Sequence, residues 1–534
     1  MQMIMKPLTY ALGGLVAVLG LSLAPSAAAA DLTDATSPLF SGSGNCAFCH
    51  DQWGRALTDK QGRDVSIGSD WRATMMAHSF KDPLWRAVVE SEVEQHPALK
   101  SFIENKCQTC HAPMARTQAA RDGTNELSFA AAKSMPLAGD GVSCTLCHQI
   151  QAKNLGTPES FTGHYEIGGD REIFGPYTNV FTRPMQHHVD YTPAFGKHVQ
   201  DSKLCATCHT LFTPILDANG KVTGQFPEQV PYLEWRNSVY AQRGRQCQDC
   251  HMPRLDEPIK ISSRPPWLDE REPFWRHQFV GGNTFMLALL NQNAKKLQPN
   301  AESAQFDAMI AKARQQLAKA ANITVRGERS GDTAVVRVEV ENLTGHKFPT
   351  GHPYRRAWLH VQLRDQRGRT IFESGAVDRD GRIRGVKGDF SEHHDLITQP
   401  GQVQIYESVM GDRSGKVTHA LLGGATILKD NRLPPQGFRP GGPDDAVTAI
   451  RGRAAQDSNF NAAGNGRDEV TYRIAVKSSG EPLTAEVALL YQAVPPEAVE
   501  HLLGGRGPAA KEFKKLYSSA SKTPEVVQRV EFKF

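Results

Sequence analysis

Five times this chain places two cysteines three positions apart and follows the second directly with a histidine. The copies are Cys46/Cys49/His50, Cys107/Cys110/His111, Cys144/Cys147/His148, Cys205/Cys208/His209 and Cys247/Cys250/His251. C-x-x-C-H is the attachment signature of c-type haem. The spacing has a physical reason, because residues three and four apart share one face of a helical turn. On that face two thiols meet the two vinyl groups of one porphyrin, and the histidine behind them reaches its iron.

The five motifs use all ten cysteines of the chain, leaving none for disulfides, free thiols or other metal sites. A zinc protein would pair C-x-x-C knuckles without a histidine after every second cysteine. A disulfide scaffold of 534 residues would scatter its cysteines. The sequence therefore predicts five covalently bound haem c groups, held by the ten cysteines and by proximal His50, His111, His148, His209 and His251.

The N-terminus reads as an export signal. Lys6 gives the positive start, Leu8 to Leu23 an apolar run, and Ala28-Ala29-Ala30 a cleavage site before Asp31. The apolar run is short for a membrane span, and no later segment is a better candidate. A periplasmic or extracellular protein, cleaved after Ala30, is expected, in keeping with covalent haem. Net charge is only +4 with interspersed signs, so nucleic acid is a poor partner. Redox proteins of unidentified kind are the expected partners.

An α+β chain is predicted, with residues 1–30 as signal peptide and 31–280 as a pentahaem domain of short helices and loops. In that domain the porphyrins would replace much of the ordinary core, because so little chain serves each motif. Leu84 to Asn105 reads as helix broken near Pro97, and Tyr232 to Arg243 as a short helix before the fifth motif. Residues 154–202, rich in Gly, Pro, Tyr and Phe, read as loop. A helical connector spans 281–321, with Phe306, Ile310, Ala313 and Leu317 on one stripe. From 322 to 534 the period becomes two, as in Val336, Val338 and Val340 and again in Val487, Leu489 and Tyr491. Such strands predict an antiparallel β-sandwich-like domain, with a helical insert from Pro496 to Tyr517.

What lies opposite each iron decides function. A second histidine leaves only electron transfer, whereas an open position permits substrate chemistry. Candidate distal ligands are His78, His188, His198, His277 and His346, the last on a Gly/Pro-punctuated turn that also holds His352. His96 and His164 are weaker candidates. His393, His394, His419 and His501 lie in polar surroundings and are expected to be exposed.

The motifs, above all Cys205-Ala206-Thr207-Cys208-His209 through Tyr232-Leu233-Glu234-Trp235 to Cys247-Gln248-Asp249-Cys250-His251, resemble the multihaem cytochromes c of the cytochrome c-554 type. That group is related to pentahaem nitrite reductase and octahaem hydroxylamine oxidoreductase. The resemblance covers roughly residues 40–290, and the C-terminal part only loosely, through Gly345-His346-Lys347-Phe348-Pro349-Thr350-Gly351. It implies closely stacked haems, mostly with two histidine ligands, used as an electron relay. The chain departs from the group as well. The c-554 type has four haems, pentahaem nitrite reductase typically carries C-x-x-C-K at its catalytic haem, and here every motif ends in histidine. An electron carrier is thus expected. The alternative is a reductase or oxidase of a small nitrogen or sulfur oxyanion at one open haem, with Arg183, Arg355 and Arg356 as candidate anion holders.

Overall fold

The computed structural model describes residues 31–217, 219–388, 390–442, 444–477 and 481–534; the export signal read at 1–30 lies outside them. The chain is α+β. Its first half consists of short helices and long connections, and its second half is dominated by sheet.

Where the first half is helical, the local signals are evident. Asp82 accepts hydrogen bonds from Leu84 N (2.8 Å) and Trp85 N (3.3 Å), and Pro83 occupies the first turn of the helix Pro83–Gln95. Pro97 ends that helix and a second, Lys100–His111, carries the chain into the second motif. A hairpin of Leu211–Leu216 and Val222–Gln229 follows the fourth motif. The segment ahead of the fifth motif is two helices, Pro231–Arg236 and Val239–Gln242, rather than one.

Apolar packing is uneven. Around the motifs the buried side chains fall into small separate clusters, such as Leu57, Val65, Ile259 and Phe274, or Phe161, Ala206, Val230, Tyr232 and Leu233. A larger core joins the two halves. It packs Ala87 and Val88 against the helices Thr284–Gln292, Ser303–Leu317, Pro496–Leu503 and Pro508–Ser519.

In the second half two sheets share one core. The first orders Thr426–Asp430, Ile405–Gly411, Arg356–Arg364, Thr484–Gln492 and Glu525–Lys533, with Thr370–Ser374 also on Arg356–Arg364. The second orders Leu396–Ile397, Arg467–Ala475, Thr333–Asn342 and Ala321–Ser330. Strand Thr333–Asn342 buries every second residue, so Val336, Val338 and Val340 face Val361, Val487 and Leu489 of the other sheet's inner side. The pairing is not wholly antiparallel, since Leu396–Ile397 runs parallel to Arg467–Ala475. Among the described residues no helix is long and apolar enough to cross a membrane.

Phe306 is fully buried in the joining core. Phe306→Ala is expected to cost about 3–5 kcal/mol, read as a lowered midpoint in denaturant with an unchanged slope.

Candidate functional site

Each motif sits on a short helix or begins at one. The helices Ser43–His50, Lys100–His111 and Cys247–His251 end on the motif histidine, Cys144–Cys147 holds the third cysteine pair, and Ser202–Ala206 opens the fourth motif. None of the ten cysteines is paired in a disulfide. Burial pushes the Cys107 and Cys147 thiols up to about 12.

The motifs adjoin one another. The Cys46 thiol lies beside Cys144, Cys110 beside Cys208, and Cys205 beside Cys247. Half-buried Tyr165, which donates to the Thr109 carbonyl (3.1 Å), lies near Cys110, Cys147 and Cys208 and links the second, third and fourth motifs. First to third, third to fourth, fourth to second and fourth to fifth, all five form one connected group.

The histidines are held in one tautomer. A backbone carbonyl can only accept, so an imidazole Nδ1 that meets one must carry the proton, leaving the lone pair on Nε2. His50 meets the Ile261 carbonyl (2.9 Å), His111 that of Ser79 (3.0 Å), His148 that of Phe174 (2.6 Å) and His251 that of Val280 (2.5 Å). Two expected distal ligands have the same lock. His277 Nδ1 meets the Trp275 carbonyl (3.0 Å) and His346 Nδ1 that of Lys347 (2.8 Å). Burial holds His277 and His346 down at about 4, so both are neutral at physiological pH.

These rings come together in pairs. His148 and His277 stand with ring centroids 6.2 Å apart and planes 22° from parallel, and His251 and His346 6.2 Å apart at 26°. Two imidazoles bound from opposite sides of one metal ion, at about 2 Å each, have their ring centres at a similar separation. Free thiols, fixed tautomers and paired neutral rings are together the donor set that covalent haem requires.

Other expected ligands are placed differently. His78 is fully buried, but its Nδ1 donates to the Thr74 carbonyl (2.7 Å) and its Nε2 accepts from Asn300 N (3.0 Å). No lone pair remains for a metal, and His78 is a core histidine packed on Phe306. His198 donates from Nε2 to the Ile150 carbonyl (2.9 Å), so its free nitrogen is Nδ1. His188 is exposed on the helix Arg183–Val189 and stacks on Phe48 of the first motif, with centroids 4.6 Å apart. His352, half-buried, is held down at about 3 by its desolvation and by nearby Arg355 and His111. Its Nδ1 accepts from Tyr354 N (3.4 Å), so in the neutral ring the proton sits on Nε2; although it shares a turn with His346, it does not present the Nε2 lone pair that His346 does.

The expectation of exposure fails for His393, His394, His419 and His501, of which the first is buried and the other three are half-buried. His393, Asp457 and Asp468 offer ligand atoms within 4.8 Å of one another, yet the tautomer argues against a metal. Gln404 and Asn431 donate amide protons to His393 Nδ1 (2.8 and 3.2 Å), their orientation fixed because their carbonyl oxygens accept from His394 N and Glu407 N. Nε2 therefore carries the proton and donates to Asp457 (3.0 Å). Of the anion holders, Arg356 is committed to Gln492 (2.9 Å) and Glu497 (3.1 Å), and Arg183 is exposed. Arg355 donates to the Thr350 carbonyl (2.8 Å) and forms no ion pair among the described residues. It lines a small cavity with His352, Thr350 and Glu228.

Glu228 is itself unusual. Burial and the neighbouring Glu92 raise its carboxyl to about 8, and burial raises Glu92 to about 7 despite hydrogen bonds from Leu421 N and Leu422 N.

No family model and no curated protein matches this chain. A solved structure does, that of a penta-heme cytochrome c552 from Thermochromatium tepidum. It shares 16% identity with a TM-score of 0.51, over 92% of this chain and 98% of that chain. At this identity the likeness is one of fold, and it extends over both halves of the molecule.

The two raised carboxyls make a pH prediction. Below their ordinary value near 4.5 they are neutral folded or unfolded. Between about pH 5 and 8 the unfolded chain gains their ionisation and the folded chain does not, so stability falls as pH rises, by a few kcal/mol. Glu228→Gln should flatten that slope, and thermal unfolding should find the variant more stable than the parent at pH 8 but not at pH 5.

Proposed function

We propose that this chain is a pentahaem c-type cytochrome that relays electrons among closely placed haems. The observation that carries the reading is the pairing of His148 with His277 and of His251 with His346, each pair at 6.2 Å with Nδ1 tied to a carbonyl. The fold it shares with a penta-heme cytochrome c552 supports the same reading.

In this reading the ten motif cysteines hold five haems, and His50, His111, His148, His209 and His251 are their proximal ligands. His277 and His346 close the third and fifth centres. Each haem, when bound, supplies an iron that gains and loses one electron. The chain fixes ligand orientation through the backbone carbonyls, keeps the imidazoles neutral by burial, and brings the five motifs into contact. The export signal read in residues 1–30 supports a location in the periplasm or outside the cell, where redox proteins would be its partners.

One observation favours the alternative reading, an oxyanion reductase or oxidase. Arg355 lines a cavity, its guanidinium bonded only to a backbone carbonyl, and its charge is felt at His209 of the fourth motif. Nitrite or sulfite shifting a high-spin signal of the parent protein would select that reading.

Electron paramagnetic resonance of the full-length protein tests the assignment. His277→Ala and His346→Ala should each convert one low-spin centre to high spin, whereas His78→Ala should leave the low-spin count unchanged. An unchanged count in both of the first two variants would remove the basis of the relay reading.

A further inference from the structure

The loop from Thr344 to Arg355 belongs to the β-rich half, yet it carries His346 to His251 of the fifth motif. Its hold on the first half is a buried charge cluster. Glu234, on the helix Pro231–Arg236, has a fully buried side chain. Its Oε2 accepts from Lys347 N (3.1 Å) and Thr350 Oγ1 (2.6 Å), and its Oε1 pairs with Arg432 (2.9 Å). Arg432 makes a two-pronged contact with Asp430 (2.8 and 2.8 Å), and Asp430 in turn pairs with Lys347 Nζ (2.7 Å).

Two carboxylates and two cations balance inside the protein. Burial alone would raise Asp430, but Arg432 and Lys347 outweigh it and hold the carboxyl at about 2. Because Glu234 accepts from the residue after His346 and again from Thr350, one carboxylate fixes the loop next to that ring. Gly345 packs so closely on Trp235 that a Cβ would stand 3.1 Å from its ring, and Tyr240 donates to the Leu343 carbonyl (2.7 Å). Cys247 of the fifth motif follows seven positions after Tyr240.

We infer that Glu234 is the positioning residue that sets His346 against His251, so that one carboxylate from the motif half controls ligation at the fifth haem. The inference rests on the ligand assignments proposed above. Without Glu234 the loop loses the one oxygen that accepts two of its hydrogen bonds, and the remaining cluster carries one uncompensated positive charge. Breaking such a buried set by removing one partner is costly, and the strain falls on the turn that bears His346.

The test uses full-length, haem-loaded protein with two variants. Glu234→Gln removes the charge, and Thr350→Val removes one hydrogen bond and no charge, so it tests the idea even where the first variant folds poorly. Expected for Glu234→Gln are an unchanged haem content, the loss of one low-spin signal in favour of high spin, and its return on adding imidazole. Thr350→Val should give a partial high-spin signal that imidazole also abolishes. Imidazole rescue separates displaced ligands from general unfolding. An unchanged low-spin count in folded Thr350→Val or Glu234→Gln would overturn the inference, as would a change confined to a centre other than the fifth. A parent protein without haem, or with His346→Ala spectrally silent, would instead overturn the ligand assignments beneath it.

Discussion

The structure depends on a small, repeated interaction, the hydrogen bond from a histidine Nδ1 to a backbone carbonyl. Each is worth only about 1 kcal/mol net, but it settles which nitrogen keeps its lone pair and which way the ring faces. The carbonyls come from far along the chain. Ile261 serves His50, Ser79 serves His111, Phe174 serves His148 and Val280 serves His251. The loops of the motif half therefore have a shared task, to bring a carbonyl to four of the five motif histidines, and that task replaces regular secondary structure as the organising rule.

A consequence is visible in the packing. Around the motifs apolar side chains gather in small clusters, and none extends across the group. The broad cores lie in the two β-sheets and in the helices that join them to the motif half. A chain built this way draws stability from the sheet half and geometry from the motif half. The buried cluster of Glu234, Arg432, Asp430 and Lys347 is the place where the two are registered, and it holds a loop of sheet origin over a centre of motif origin.

Much of this was legible in the sequence because the chemistry was local. The motifs announce themselves by spacing, and Val336, Val338 and Val340 announce a strand by alternation. Phe306, Ile310, Ala313 and Leu317 mark the helix Ser303–Leu317 in the same way. The hairpin at Leu211–Gln229 was hidden by Pro214, Gly224 and Pro227, which read as loop, and the parallel pairing of Leu396–Ile397 has no local sign. Histidines were the hardest to place. His78 looks like a free ligand until Asn300, 222 residues away, takes its second nitrogen. His393 looks exposed until Gln404, Asn431 and Asp457 enclose it. The partnership of Glu234 with Lys347 and Thr350 spans more than one hundred positions and cannot be read from either end alone.

The central claim is that five cysteine pairs each hold a haem covalently. The most direct measurement is the intact mass of the purified chain under denaturing conditions, before and after treatment with a thiol alkylating reagent. The account predicts a mass above that of the processed polypeptide by five haem groups, with no cysteine alkylated. A mass equal to the bare polypeptide, with ten thiols open to the reagent, would contradict it.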